Sequence, residues 1–323
     1  MTKFAWLASH EAYQPETLIE QAVLAEKVGF DMVTASDHFH PWVDDNSAAG
    51  FVWTWLGAAA AKTDQLIFAT SVTCPLFHYH PALIAQAAAT VDRLSGGRFI
   101  LGVGTGENIN EGPLGYEFPG YRERIGRMGE ALEIMHRLLA GEKLDFEGTY
   151  YQCRKAKLYS PPTHEVPIWM AAGGEQSATF AGKNVEGLIV SVKSPREAIE
   201  KIIKPFQDVR EAPGSVMATR WVVLAASDAE AWEALGSMRG LRAPGRAEEV
   251  DPMVLRQRAD EMDREEILSK YTVVKDAGGL IEAYQPLVTD VGADVVSIQV
   301  ASIDPVRTLN MIGSEVLSEL RKL

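Results

Sequence analysis

One pattern limits what this chain can fold into more than any other. Short apolar runs alternate with helix-period segments along most of its 323 residues. The runs lie at 4–8, 31–35, 66–72, 98–103, 166–171, 187–192, 216–225 and 294–301. Helical segments fall between them at 15–28, 53–61, 81–94, 121–139, 176–181 and 195–209. The first of these starts on Pro15 and stops at Gly29, the expected punctuation of a helix. Strands that alternate with helices predict a parallel sheet, and eight such units fit a (β/α)8 barrel. An open doubly wound sheet is the alternative. Its glycine-rich fingerprint would follow the first strand, where Ser9-His10-Glu11 stands instead.

Two stretches interrupt the alternation. Leu144-Asp145-Phe146-Glu147-Gly148-Thr149-Tyr150-Tyr151 reads as a hairpin turning at Glu147-Gly148, inserted at about 143–158. A charged, helical insertion containing Pro244-Gly245 covers about 226–270. No repeat or low-complexity linker divides the chain, which predicts a single α/β domain over 1–323.

In parallel α/β folds the loops at the carboxyl ends of the strands surround one crevice. The second strand there delivers Ser36-Asp37-His38-Phe39-His40-Pro41-Trp42. An acid, two imidazoles and an indole on one strand end point to a site. His38 is the candidate general base or acid, because imidazole titrates near neutrality. Glu11 and Glu107 are further proton carriers. The fourth strand gives Gly104-Thr105-Gly106-Glu107 and the fifth gives Ala171-Ala172-Gly173-Gly174, which opens into a helix. Glycine allows close approach of a ligand, and free N–H groups at a helix start favour a phosphate. Two such turns beside the Asp-His-Trp strand end point to a large, phosphate-bearing cofactor.

The net charge of −13 argues against a nucleic-acid or anionic-membrane partner and leaves room for a small substrate held by local cations. Cys74 and Cys153 form neither a metal-type spacing nor a disulfide framework. His136 and His164 read as structural or surface residues, and no histidine pair has helical zinc spacing. The apolar run at 4–8 is too short for a signal peptide or a membrane span, so a cytoplasmic location is expected.

Ser36 through Trp42, Thr70-Ser71-Val72, Gly104 through Glu107 with Asn110-Glu111, and Ala171 through Gly174 resemble, in order and spacing, the motifs of the luciferase-like barrel superfamily. Within it they are most similar to the deazaflavin-dependent dehydrogenases that use coenzyme F420. The likeness runs over nearly the whole chain. It implies a luciferase-like TIM barrel, F420 without a metal, and a homodimer. It also implies roles. Asp37 would bind the deazaflavin, with Cys74, Gly106, Asn110, Ala171 and Ala172 around it. Ser71 and Val72 would be joined by a non-proline cis peptide behind the ring. Gly173 and Gly174 would cradle the phosphate of the tail. His38 would take the substrate's hydroxyl proton, Trp42 and Glu11 would hold substrate and proton, and Glu107 would sit near the ring nitrogen that is protonated.

The resemblance divides at the substrate. The glucose 6-phosphate branch has a lysine near the sixth strand's end, a place Lys193 fills, and another in the helical insertion. Gln257 aligns with the latter, between Arg256 and Arg258, so Lys193, Arg256 and Arg258 are the phosphate candidates, with Lys270 a further one. The secondary-alcohol branch shares Cys74 before Pro75, and His40 with Asp45-Asn46. A flavin-mononucleotide monooxygenase is the third possibility. The His38–Trp42 pair favours alcohol oxidation over it.

Overall fold

The computed structural model covers residues 1–323. In chain order its strands are β1 (Lys3–Ala8), β2 (Met32–Ala35), β3 (Ile67–Thr70), β4 (Phe99–Val103), β5 (Leu144–Glu147), β6 (Gln152–Ala156), β7 (Ile168–Ala171), β8 (Gly187–Ser191), β9 (Ser215–Leu224), β10 (Thr272–Val274) and β11 (Val295–Ala301). Eight of them pair in parallel in the order β1-β2-β3-β4-β7-β8-β9-β11, and β11 returns to β1. The closing β8–β9 ladder runs from Gly187 opposite Ser215 to Ser191 opposite Thr219. The result is a closed (β/α)8 barrel, and each of the eight apolar runs read from the sequence supplies one of its strands.

The strands are buried on both faces, which explains their continuous apolar character. Ala5, Met32, Ala69, Trp169, Ile189, Met217 and Val295 from seven strands pack together inside the barrel. Outside it, 65 buried residues fill the space between strands and helices. The strands approach closely at Gly102. A Cβ there would lie 1.8 Å from the Thr70 carbonyl oxygen, and Gly102 N–H instead donates to Thr70 Oγ1 at 3.0 Å. The helix Pro15–Val28 begins on its proline and ends at Gly29, whose φ of 98° is left-handed.

Differences from the sequence reading have local causes. β3 stops at Thr70; the Ser71–Val72 peptide is cis, and pairing resumes in one bridge between Thr73 and Val103. The helix Ala277–Thr289 completes a barrel unit but carries Gly278, Gly279 and Pro286, which obscure its period. The β5–β6 hairpin turns through 148–151, where the Glu130 carboxylate accepts the N–H groups of Thr149, Tyr150 and Tyr151. β10 is three residues long and pairs in parallel alongside the end of β9, at Val222–Leu224.

The insertion after β9 holds the helices Asp228–Leu235, Pro252–Glu261 and Arg264–Leu268. It has its own core of 13 buried residues, among them Leu235, Leu255 and Ile267, and this core includes Trp42 and Ile109 from the strand-end loops. Arg239 clamps it from the other side, reaching Asp45 and Asp260 at 2.8 and 2.9 Å. The segment is thus seated on the loop that carries His38. No helix is long and apolar enough to cross a membrane.

Candidate active site

A cavity of about 450 Å³ opens at the carboxyl ends of the barrel strands. Its walls include Glu11, Asp37, His38, Trp42, Ser71, Val72, Cys74, Gly106, Glu107, Asn110, Ala171, Ala172 and Gly173, so the structure gathers these thirteen sequence candidates in one place.

Hydrogen bonds fix the β2 end from beneath. Ser36 Oγ accepts the N–H of His10 at 2.9 Å and donates to the Glu11 carboxylate. His10 is fully buried and its Nδ1 donates to the Gly50 carbonyl at 3.0 Å. Burial lowers the pKa of its imidazole from 6.5 to about 4. Asp37 accepts from Thr73 Oγ1 at 2.7 Å and from Tyr79 at 3.3 Å. Burial pushes the Asp37 carboxyl up, while Thr73 and the imidazoles of His78 and His38 oppose that rise.

His38 stands on this base. Its Nδ1 lies 3.0 Å from the His40 carbonyl oxygen. A carbonyl only accepts, so Nδ1 carries the proton and Nε2 keeps a lone pair. The ring packs edge-on against Trp42, centroids 5.3 Å apart, and Nε2 is 4.0 Å from Glu107 Oε2. Asn110 ties the neighbouring loop down, its Oδ1 accepting the N–H groups of Phe39 and His40 at 3.0 and 3.3 Å.

The opposite wall suits a flat, phosphate-bearing group. Val72 projects where Gly104 makes room, since a Cβ on Gly104 would stand 2.5 Å from Val72 Cγ2. Gly106 adopts a left-handed φ of 84°, and a Cβ there would meet Cys74 Sγ at 2.7 Å. A Cβ on Gly173 or Gly174 would meet nothing within 4 Å, so that turn is open. Gly173 lines the cavity. Gly174 does not; it caps the helix Glu175–Asn184, with its N–H and carbonyl both bonded to Ser177 Oγ. Glu111 is fully buried on the cavity wall, with Oε2 2.7 Å from His78 Nδ1 and Oε1 without a partner.

The cations differ most from the sequence reading. Arg256 pairs with Asp44, and Arg258 with Glu249 at 2.7 Å. Neither reaches the cavity; both anchor the insertion. Arg242 and Arg246 line it in their place. Arg246 bonds Glu107 at 3.1 Å and lies over the Trp42 ring at 5.3 Å. Lys193 lines an adjoining pocket of about 370 Å³ with Arg220, Arg242 and Lys270, and no carboxylate faces it there. The two cavities share Ser191, Trp221 and Arg242. Arg242 above all, then burial and Arg246, hold the Lys193 ammonium below the usual lysine range. The sequence shows these arginines only as two cations flanking the turn Ala243-Pro244-Gly245, which does not say what they face. His78 and Glu111 were also unassigned. Each looks ordinary in sequence, and only the fold joins them.

The chain matches the luciferase-like monooxygenase family over residues 2–282. It is 35% identical to an F420-dependent glucose-6-phosphate dehydrogenase of Intrasporangium calvum, with 100% of each chain covered. It is 34% identical to an F420-dependent hydroxymycolic acid dehydrogenase of Mycobacterium tuberculosis, covering 97% of this chain and 87% of that one. A solved F420-dependent secondary alcohol dehydrogenase, in complex with an F420–acetone adduct, superposes with a TM-score of 0.90 at 30% identity, covering 98% of both chains.

Proposed function

The chain belongs to the luciferase-like monooxygenase family, beside its F420-dependent dehydrogenases, and on that premise we propose that it oxidises a sugar phosphate, with glucose 6-phosphate the foremost candidate. It is an F420-dependent oxidoreductase acting on CH–OH groups. The residues present fit that cofactor. The glycine-relieved wall at Gly104 and Gly106 leaves space for a flat ring, the open turn at Gly173 suits its phosphate, and the buried Glu111 Oε1 awaits a donor. When bound, F420 supplies the hydride acceptor.

The chain's own groups position the donor and move the proton. His38 Nε2, freed by the Nδ1–H bond to His40, accepts the hydroxyl proton. Trp42 fixes that ring and closes one side against water. Glu11, held by Ser36, accepts hydrogen bonds from the substrate's hydroxyls, and Glu107, held by Arg246, would be the group that supplies the proton gained by the reduced ring.

The observation that carries the donor class is Lys193 and Arg242, which meet beside the His38 cavity in a pocket lined by no carboxylate, whereas Arg246 is already paired with Glu107. Crowded cations repel until an anion joins them, and a phosphate dianion is the anion arginine forks match. Titration with oxidised F420 and flavin mononucleotide, followed by assay on glucose 6-phosphate, glucose and 2-propanol, tests both levels. Tight F420 binding and a kcat/KM at least roughly 100-fold higher for the phosphate ester than for glucose are expected. Binding of flavin mononucleotide alone would overturn the cofactor, and equal rates on the three donors would overturn the substrate. The second reading, an uncharged secondary alcohol, draws on the likeness to the alcohol dehydrogenase and on a mostly apolar cavity of about 290 Å³ that shares Leu7, Trp221 and Met238 with the main one.

A further inference from the structure

We infer that Glu111, oriented by His78, is a direct hydrogen-bond acceptor for the cofactor's ring system; this rests on the F420 reading of the cavity. Glu111 has no exposed side-chain surface, yet it lines the cavity. His78 Nδ1 donates to Oε2 at 2.7 Å, which fixes the carboxylate plane. Oε1 is buried without a hydrogen-bond partner. A buried carboxylate oxygen left in that state is costly, so its position implies a donor that arrives from the cavity.

The protein offers little else. The Cys74 thiol adjoins the same spot: a Cβ on Gly106 would stand 2.7 Å from Cys74 Sγ and 3.3 Å from Glu111 Oε1. Burial, the Glu111 charge and the thiol's own hydrogen bond to the Glu111 carboxylate keep that thiol protonated, and a thiol is a weak donor that leaves most of the oxygen's capacity unused. Gly106, in its left-handed turn, leaves the approach to Oε1 clear of side chain. A deazaflavin presents an imide N–H and a phenolic O–H at the edges of a flat ring. Either satisfies Oε1, whereas a group with acceptors only is repelled. Two other carboxylates that line the cavity are already engaged: Asp37 accepts from Thr73 and Tyr79, and Glu11 accepts from Ser36.

The test is equilibrium binding of oxidised F420 to Glu111→Gln, read by fluorescence quenching and by the visible spectrum of the bound cofactor, with thermal melting of the free protein alongside. Kd is expected to rise roughly 10- to 100-fold, the scale of a lost charge-assisted hydrogen bond, with a shifted absorption band. His78→Gln, which leaves the carboxylate unoriented, is expected to weaken binding in the same direction by less, and it decides the matter should Glu111→Gln not fold. A folded variant with wild-type Kd and spectrum would overturn the inference. If the wild-type protein itself fails to bind F420, the cofactor reading falls instead.

Discussion

The β2 strand end and the insertion after β9 face each other across one cavity and are built in opposite ways. Around His38 the supporting groups are buried and hydrogen-bonded: Ser36 to Glu11, Thr73 to Asp37, Asn110 to two backbone N–H groups. Around Arg242 and Arg246 the support is a small core and ion pairs such as Asp44–Arg256 and Glu249–Arg258, whose side chains are partly exposed. Buried networks fix geometry to fractions of an ångström, whereas exposed ion pairs hold position loosely. The difference separates labour. Under the function proposed above, the barrel wall would set proton transfer and cofactor contact, and the insertion would set which substrate is retained.

The largest effect should come from His38→Ala. Turnover is expected to fall by roughly 10²–10⁴, the range for loss of a general base, with F420 affinity within a few-fold of wild type. Wild-type turnover in steady-state assay would break the division at its root. The next effect is on stability. His10 stays neutral in the folded barrel down to about pH 4, while its unfolded value is 6.5. Between those values the unfolded chain binds a proton the folded chain refuses, so stability falls as pH falls, by about 3 kcal/mol across the window. Denaturant unfolding at pH 7 and pH 4.5 should show a smaller difference for His10→Gln than for wild type. Equal differences would mean that the foundation of the β2 end tolerates charge.

At the substrate end of the cavity, Lys193→Ala, just past β8, and Arg242→Ala, in the insertion, should each raise KM for glucose 6-phosphate by roughly 10-fold or more and lower kcat less, because contacts remote from the reacting carbon bind ground and transition states alike. Unchanged KM with lowered kcat would place these cations on the chemical side of the cavity. The smallest effect belongs to Arg256→Ala. Its exposed pairing with Asp44 predicts a KM within about two-fold of wild type. A large change would show that the insertion's seat is as exacting as the barrel's.

The same contrast explains what could be read from sequence. Strands buried on both faces print apolar runs such as Leu188-Ile189-Val190, and prolines and glycines such as Pro15 and Gly29 mark helix ends, so the barrel was legible. The motif Asp37-His38 with Trp42 lies in one loop, and its partners stand at other strand ends whose order the barrel fixes. Arg242 and Arg246 were not legible as cavity residues. The insertion has no repeating period to fix its path, and charge alone does not distinguish a clamp from a tether. Arg256 and Arg258 carry the same charge, yet the fold spends them on Asp44 and Glu249. His78 and Glu111 meet across 33 positions, a pairing that local pattern cannot encode.

Trp42 belongs to both sides. One face of its surroundings is the His38 imidazole; Arg246 lies over the indole, and the rest packs into the insertion's core. In evolutionary terms this makes the indole a toll point on sequence drift. The insertion is free to exchange surface charges and acquire new ligands as long as it continues to present a surface that fits this ring. On the proposed function, a change that breaks the fit would disturb the His38 ring, whatever it does for the new ligand. Descendants of this chain should therefore diversify their donors through positions such as 242 and 246 while the tryptophan stays in place, and a laboratory search for new donors would do well to randomise the insertion around a fixed indole.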